Sequence, residues 1–239
     1  MQMKGRSTHW KEIISSNGIL IQDSEYDKLD LYCDLLLEWN QKVNLLSRKD
    51  ESNIWPGHIL HSISVMFEVD LPAKMAVADV GSGGGFPGIP LAILLPSTTV
   101  VLIESIKKKC SALTDMVSRL KLGNARIVNA RVEDIANSPG FNRTFDLVFA
   151  RAVAPLKELI IWSTPLANHG FSNEIKLRHS ACDSISGPCL VAMKGGDTSV
   201  EIREARQILG EKRILETDIQ FIGAAEAGLV DKKIIIVSL

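Results

Sequence analysis

A run of glycines follows an acidic residue in the first half of the chain, in the stretch ADVGSGGGFPGIP. The residues are Asp79, Gly81, Gly83, Gly84 and Gly85. Glycine allows the backbone to turn sharply and to approach a ligand closely, and the N-terminus of a helix presents N–H groups that lack partners. Proline fits the first turn of such a helix, which the sequence places at Ile89-Pro90. The pattern predicts a strand, a ligand-binding turn and a helix.

A carboxylate ends the next apolar run, VVLIE, at Glu104. In this position it can accept hydrogen bonds from both ribose hydroxyls of an adenosine, which nicotinamide dinucleotides and S-adenosylmethionine both contain. The dinucleotide fingerprint GxGxxG needs a glycine where Phe86 stands. The spacing here is acidic-x-GxGxG, which resembles the first motif of class I methyltransferases. The turn therefore favours S-adenosylmethionine, and a surface glutamate is the alternative for Glu104.

Two basic residues end later strands of the same predicted sheet. Arg151 stands in FDLVFARAVAP, which holds neither the Asn/Asp-Pro-Pro-aromatic string of adenine amino methyltransferases nor the cysteine of cytosine C5 enzymes. Guanine N7 carries a lone pair and no proton, so its methylation needs alignment more than acid–base chemistry. The Arg151 guanidinium can bind guanine O6, a phosphate or the methionine carboxylate, or form a structural salt bridge. Lys194 reaches the same sheet edge, so Arg151 and Lys194 are the candidate catalytic residues.

The elements that position these residues follow from hydrophobic periodicity. Residues 1–75 read as an N-terminal helical region, with an amphipathic helix over 26–46 and a second over 54–69. Residues 76–239 alternate short apolar strands with amphipathic helices, which predicts an α/β, Rossmann-like domain with a mostly parallel seven-stranded sheet that ends in a hairpin. The strands are expected at 76–80, 100–104, 125–129, 145–150, 189–193, 213–222 and 233–238. Residues 168–188 fit poorly, and we expect a mobile insertion or a substrate-facing loop there.

Composition limits the possible partners and the location of the protein. The net charge is −1, so a nucleic acid must be held by a local basic face, or presented by a ribonucleoprotein. Such a cluster occurs at Lys107, Lys108, Lys109, Arg119 and Lys121, although a solvated helix face is the alternative. The cysteines at 33, 110, 182 and 189 have no CxxC spacing, and no metal site is expected. No apolar run has the length of a membrane helix or signal-peptide core, which predicts a cytoplasmic protein.

Several motifs in this order resemble the bacterial small-subunit ribosomal RNA guanine-N7 methyltransferases over nearly the whole chain. They are EWNQKVNLLS, ADVGSGGGFPGIPLAI, LIES, NARVED, FDLVFARAVAPL and MKGG. The resemblance implies cofactor contacts at Gly81, Phe86, Val132, Glu133 and Arg151. It also implies that the substrate is a guanosine in a loop of 16S rRNA, at position 527 in the family, within a small-subunit ribosomal particle. Neither DNA nor a membrane is an expected partner, and a monomer is expected.

One string departs from the family pattern. The family usually has Arg-His-x-x-Asp-Ser in the second N-terminal helix, whereas this chain has Gly57, His58, His61 and Ser62 at the corresponding places. Two alternatives to the rRNA guanine-N7 enzyme therefore stay open. One is a methyltransferase for another RNA or a small molecule, and the other is a non-catalytic ribosome-assembly or RNA-binding protein on the same fold.

Overall fold

The computed structural model describes residues 7–180, 183–210 and 213–239. The N-terminal region is helical, with a π-helical segment at Trp55–Leu60 running directly into α3. The helices are α1 Thr8–Ser16, α2 Asp23–Asn40, α3 His61–Glu68, α4 Gly88–Leu94, α5 Lys107–Arg119, α6 Val132–Ile135, α7 Leu156–Ser163 and α8 Ser199–Leu209. The strands are β1 Val69–Asp70, β2 Ala76–Val80, β3 Thr99–Glu104, β4 Ala125–Asn129, β5 Leu147–Arg151, β6 Glu174–Leu177, β7 Ser184–Ser186, β8 Cys189–Gly195, β9 Ile214–Asp218 and β10 Lys232–Ser238.

The main sheet has seven strands in the order β4-β3-β2-β5-β8-β10-β9. Strands β4, β3, β2, β5 and β8 are parallel, and β10 runs antiparallel to both β8 and β9. This arrangement confirms the predicted mostly parallel sheet with a hairpin end. Since β10 is antiparallel, its first residue, Lys232, lies opposite Gly195 at the carboxyl end of β8. The carboxyl ends of β2, β3, β5 and β8 therefore share one edge with the start of β10.

Both faces of the sheet are covered by apolar side chains because consecutive strand residues point to opposite sides. In β5, Leu147 and Phe149 enter one buried cluster, whereas Val148 and Ala150 enter the other. The first cluster also contains the apolar residues of α2, α3 and α4, so the N-terminal helices share a core with one face of the sheet. The boundary near residue 75 stays a prediction about domain organisation.

The first long helix is shorter than its apolar periodicity predicts. It ends at Asn40, and the Asn40 side-chain oxygen accepts hydrogen bonds from the backbone N–H groups of Leu45 and Leu46, both at 2.8 Å. This amide holds the following residues in a turn that closes back on the helix end, as asparagine does where it competes with helical bonding. The predicted extension to residue 46 is therefore wrong, and Leu45 and Leu46 are brought towards the glycine turn.

The described part of residues 168–188 contains two short strands where the sequence predicts a loop. Strands β6 and β7 form an antiparallel pair, and β6 also pairs with β1 to make a second, three-stranded sheet. Arg178 strengthens this contact with an ion pair to Asp70 at 2.9 Å. The hairpin leads into the amino end of β8, on the side of the sheet opposite the glycine turn. The sequence does not predict these strands because each is short and because the second partner of β6, strand β1, lies about a hundred residues earlier in the chain.

Two further observations bear on the sequence predictions. No helix in the described stretches combines the length and apolar character that crossing a bilayer needs. The thiols of Cys110 and Cys189 are buried, and burial is the first cause that raises the pKa of each. Cys182 lies outside the described residues.

Candidate functional site

Two adjoining cavities lie at the carboxyl edge of the parallel strands. The larger has a volume of about 590 Å³ and is bordered by the glycine turn, the end of β3, the end of β5 and the start of the π-helix and α3. The smaller has a volume of about 150 Å³ and follows the start of α6. Gly81, Ser105 and Val153 border both cavities, so the two cavities adjoin and share a wall.

The glycine turn has the backbone conformation that its sequence predicts. Gly81, Gly83 and Gly85 have φ values of 69°, 57° and 103°, which side-chain-bearing residues rarely adopt. A Cβ on Gly81 would lie 2.7 Å from Val153 Cγ2. The Tyr32 hydroxyl donates to the Gly84 carbonyl oxygen at 2.7 Å, which ties α2 to the turn. The turn is thus held open to the cavity by contacts from behind.

Asp79 supports the turn from beneath and is fully buried. Its Oδ2 accepts a hydrogen bond from the Gly88 N–H at 3.1 Å, whereas Oδ1 has no hydrogen-bond partner among the described residues. Burial raises the pKa of Asp79 from its ordinary 3.8 to about 7. The side chain is therefore poised between its neutral and charged forms near physiological pH.

Glu104 lies where the sequence places it, at the carboxyl end of β3 and in the wall of the larger cavity. Its two carboxylate oxygens accept backbone N–H groups from Gly83 at 2.9 Å and Ile106 at 2.8 Å. Each carboxylate oxygen has a second lone pair. The carboxylate is thus fixed in orientation by the protein and can accept further hydrogen bonds from a ligand.

Arg151 ends β5 and faces the same cavity. Its guanidinium carbon lies 4.6 Å from the centre of the Phe86 ring, and its Nη2–H donates to His58 Nδ1 at 3.0 Å. Burial lowers the pKa of Arg151 to about 10, so the group stays charged at neutral pH. It forms no ion pair with a carboxylate of the described residues. Within the described stretches, Arg151 therefore does not form the structural salt bridge that the sequence left open.

His58 holds Arg151 in place. Because Nδ1 accepts the bond from Arg151, the imidazole proton is assigned to Nε2, which lies 3.8 Å from Asp50 Oδ2. Burial first, and then the charge of Arg151, lower the pKa of His58 to about 4. The ring also packs against Phe86, with centroids 5.0 Å apart. His58 is thus a neutral acceptor that fixes the guanidinium over the Phe86 ring.

His61 and Lys232 also border the larger cavity, and neither was a predicted site residue. His61 is 7% exposed, and its Nε2 has no hydrogen-bond partner among the described residues. Lys232 forms an ion pair with Asp231 at 2.9 Å. The positions of His61 and Lys232 in the sequence do not indicate that the two residues border the same cavity. The sequence marked His61 alone as unusual, because the chain departs from the family string at positions 57 and 61.

The remaining predicted residues divide into two groups. Val132 and Glu133 border the smaller cavity, together with apolar side chains of Val80, Ile103 and Trp162. Lys194 is not among the residues that border either cavity. Its Nζ donates to the Ala154 carbonyl oxygen at 2.7 Å and pairs with Glu201 at 2.8 Å. The structure therefore joins Lys194 to the loop after β5 and separates it from the cavity wall.

The basic cluster on α5 is only partly a feature of the site. Lys109 borders the larger cavity, whereas Lys107 and Lys108 are exposed on the same helix. Arg119 forms an ion pair with Glu38 at 2.8 Å, which links α5 to α2 at the protein surface. In the described stretches, no three His, Cys, Asp or Glu side chains are grouped to bind a metal ion.

The family model and the most similar relatives that the chain matches carry the same description. Residues 25–181 match the family described as rRNA small subunit methyltransferase G. The ribosomal RNA small subunit methyltransferase G of Chlorobium luteolum is 35% identical over 195 residues, which are 82% of this chain and 73% of that protein. The protein of the same name from Acetivibrio thermocellus is 35% identical over 223 residues, covering 92% and 85% of the two chains.

Solved structures of low sequence identity share the fold. A protein from Corynebacterium glutamicum superposes with a TM-score of 0.53 at 14% identity, covering 98% of both chains. A SAM dependent methyltransferase from Aquifex aeolicus superposes with a TM-score of 0.50 at 16% identity, covering 80% of this chain and 94% of that one. These likenesses agree with the class I methyltransferase architecture that the sequence predicts.

Proposed function

Because the chain belongs to the rRNA small subunit methyltransferase G family, we propose that it transfers a methyl group from S-adenosylmethionine to N7 of a guanine in 16S rRNA. The observation that carries this proposal is the meeting of the glycine turn, Glu104 and Arg151 at one cavity. In this family context the cavity serves as the place where methyl donor and acceptor base meet.

The residues present fit S-adenosylmethionine. Glu104 is an oriented carboxylate with lone pairs to accept the ribose hydroxyls. Gly83 leaves room for the ligand to approach the backbone, because the space where its Cβ would stand is open, whereas the missing Cβ of Gly81 makes room for the Val153 side chain. The smaller cavity, with apolar walls and Glu133 and Val132 at its border, suits an adenine ring. Phe86 supports the Arg151 guanidinium from behind.

Arg151 suits the methionine carboxylate. The Arg151 guanidinium is partly buried and has no carboxylate partner among the described residues, so it carries a desolvation cost that a bound anion offsets. His58 and the Phe86 ring hold the guanidinium in one orientation, so a carboxylate can be bound without first ordering the side chain. Of the three ligand roles that the sequence left open for Arg151, we therefore propose binding of the methionine carboxylate.

The cofactor supplies an electrophilic methyl group on a positively charged sulfur. Guanine N7 presents a lone pair and no proton, so the chain needs no general base and its contribution is alignment. Arg151 lies in the cavity wall and contacts the reactants directly, whereas Lys194 acts through other residues. By holding the Ala154 carbonyl and Glu201, Lys194 positions the loop after β5 that carries Ala152 and Val153 into the site.

The substrate and its setting complete the proposal. The near-neutral net charge gives little general attraction for free RNA, which favours an RNA presented in a small-subunit ribosomal particle. Lys109 borders the cavity, and together with the exposed Lys107 and Lys108 at the start of the same helix it offers a local basic surface for phosphates. We place the reaction in the cytoplasm and propose that the protein acts as a monomer.

The proposal is tested by labelled methyl transfer to small subunits that lack the modification, followed by nucleoside mass spectrometry. We expect 7-methylguanosine in 16S rRNA, and less of it with Arg151→Ala at matched folded fraction. A different methylated nucleoside would indicate another substrate. Binding of S-adenosylmethionine without any transfer would indicate a protein that keeps the fold and assists ribosome assembly without catalysis.

A further inference from the structure

We propose that Ala152 is a positioning residue, whose left-handed backbone holds the peptide groups of residues 152–154 against the polar edge of the acceptor guanine. The inference rests on the proposed function and adds to it a means of recognising the base. Ala152 directly follows Arg151 at the carboxyl end of β5, is exposed, and borders the larger cavity. A ligand in that cavity therefore reaches it.

The first argument is the backbone conformation of Ala152, which has a φ value of 54°. A residue with a Cβ rarely adopts this conformation, because the Cβ crowds the following carbonyl oxygen. Such strain persists only where the surrounding structure holds it, and it is concentrated in binding and catalytic sites. Lys121 and Arg143 are the other non-glycine residues with positive φ in the described stretches, and neither borders the two cavities.

Both neighbours of Ala152 hold the strained conformation in place. Val153 packs against the glycine turn, where its Cγ2 lies 2.7 Å from the position that a Cβ of Gly81 would take. The Ala154 carbonyl oxygen accepts a hydrogen bond from Lys194 Nζ at 2.7 Å. The loop is thus fixed on the far side of Ala152 by two contacts and on the near side by β5.

The second argument is that the peptide groups of this loop are unused. The chain leaves β2 with the Gly81 N–H donating to Ile103 O at 2.9 Å, and leaves β4 with the Ala130 N–H donating to Glu104 O at 3.1 Å. After β5, the N–H groups of residues 152–154 and the carbonyls of residues 152 and 153 have no hydrogen-bond partner among the described residues. They are donors and acceptors in fixed positions beside the cavity.

The third argument is the chemistry of the acceptor base. N7 of guanine must face the methyl group, which leaves O6 as an acceptor and N1–H and the 2-amino group as donors. Backbone N–H and C=O groups match both kinds of partner. Arg151 is proposed to bind the methionine carboxylate, so Ala152, the next residue, lies where a base that meets the cofactor is reached. Consecutive residues would then hold the methyl donor and the methyl acceptor.

The test combines Ala152→Gly with an atomic change in the base. Glycine adopts the same φ without strain but does not restrict the loop to it. Small subunits are reconstituted with 16S rRNA that carries guanosine or 2-aminopurine at the target position, because 2-aminopurine keeps N7 and lacks both O6 and N1–H. For the wild type we expect 2-aminopurine to lower kcat/KM by roughly tenfold to a hundredfold.

Ala152→Gly should lower kcat/KM on guanosine by roughly fivefold to thirtyfold, the cost of ordering the backbone of one residue during the reaction. The loss on 2-aminopurine should be smaller, because the contacts that need the ordered loop are already absent. Discrimination between the two bases therefore falls. The affinity for S-adenosylmethionine, measured by calorimetry, should stay within about threefold of wild type, since Glu104 and the Arg151 guanidinium are oriented by other residues.

Stability separates positioning from a structural role. Ala152→Gly should raise the urea midpoint, because relief of the left-handed strain outweighs the freedom that glycine adds to the unfolded chain. A structural role would lower stability and activity together. Arg143→Gly is the matched control, since Arg143 has a φ value of 52° and precedes β5 at the opposite edge of the main sheet. It should raise the midpoint and leave methyl transfer unchanged.

Three results would overturn the inference. One is wild-type kcat/KM of Ala152→Gly on guanosine. The second is an equal loss on guanosine and 2-aminopurine, which would show that the loop acts without contacting the base. The third is a larger loss of affinity for S-adenosylmethionine, which would place the loop against the cofactor. If the wild type itself formed no 7-methylguanosine, the proposed function would fail and the inference with it, whereas normal wild-type transfer with any of these three results refutes the inference alone.

Discussion

Replacement of Glu104 by alanine tests the placement of the cofactor. The carboxylate holds two backbone N–H groups, from Gly83 and Ile106, and is proposed to receive the ribose hydroxyls with its remaining lone pairs. Glu104→Ala removes all of these acceptors at once. The adenosine would then lose its hydrogen bonds to the end of β3 while the rest of the cavity stays in place.

The size of the effect follows from the kind of hydrogen bond that is lost. Hydrogen bonds to a charged acceptor contribute about 1–3 kcal/mol, and the hydroxyls are only partly compensated by water that enters the space. That range corresponds to a rise in Kd of roughly 5-fold to 150-fold. Loss of the bond to Gly83 also loosens the glycine turn, which acts in the same direction.

The assay is calorimetric titration with S-adenosylmethionine, accompanied by thermal unfolding of each variant. Glu104→Gln is the informative second variant, because its amide nitrogen would face a backbone N–H of Gly83 or Ile106 and clash as donor against donor. Glu158→Gln, an exposed change of the same type on α7, is the matched control. Unchanged affinity in folded Glu104→Ala would refute the placement of the ribose at β3.

Three other outcomes are expected. Gly81→Ala should reduce the free energy of unfolding by about 1–2 kcal/mol, the cost of a left-handed backbone at a non-glycine residue, and more where its Cβ meets Val153. Gly123→Ala, with open space around its Cβ, is the control, and equal stability of the two variants in urea would contradict the strain. For Asp79, the folded pKa of about 7 lies above the ordinary 3.8, so its contribution to stability is complete below 3.8 and is lost as pH rises through about 7. Urea unfolding below pH 3.8 and above pH 7 should show that the wild type loses stability relative to Asp79→Asn as pH rises. A difference in stability that stays constant with pH would show that burial does not raise the pKa of Asp79. Lys194→Met should lower the unfolding midpoint while the affinity for S-adenosylmethionine stays within about threefold, since Lys194 lies outside the cavity wall and an indirect effect through the loop stays below about 0.7 kcal/mol. A loss of methyl transfer at unchanged stability would instead support the catalytic role predicted for Lys194.

The sequence determined the sheet and half of the candidate site. Strand alternation and helix periodicity are local patterns, and they placed the strands around Asp79, Glu104 and Arg151 within a residue or two of the structure. The glycine spacing determined a turn with positive φ values, because few other residues adopt that conformation. Parallel strands must also bring their carboxyl ends to one edge, so the meeting of the turn, Glu104 and Arg151 was predictable.

The tertiary structure alone decided the other half of the site. Arg151 meets His58 across 93 positions of sequence, Tyr32 meets Gly84 across 52, and Lys232 enters the cavity only because β10 runs antiparallel beside β8. It likewise decided that Lys194 turns to Glu201 and away from the cavity. Spacing along the chain reports which face of an element a side chain occupies. Contacts between elements far apart in the chain depend on how the layers pack, which no local pattern specifies.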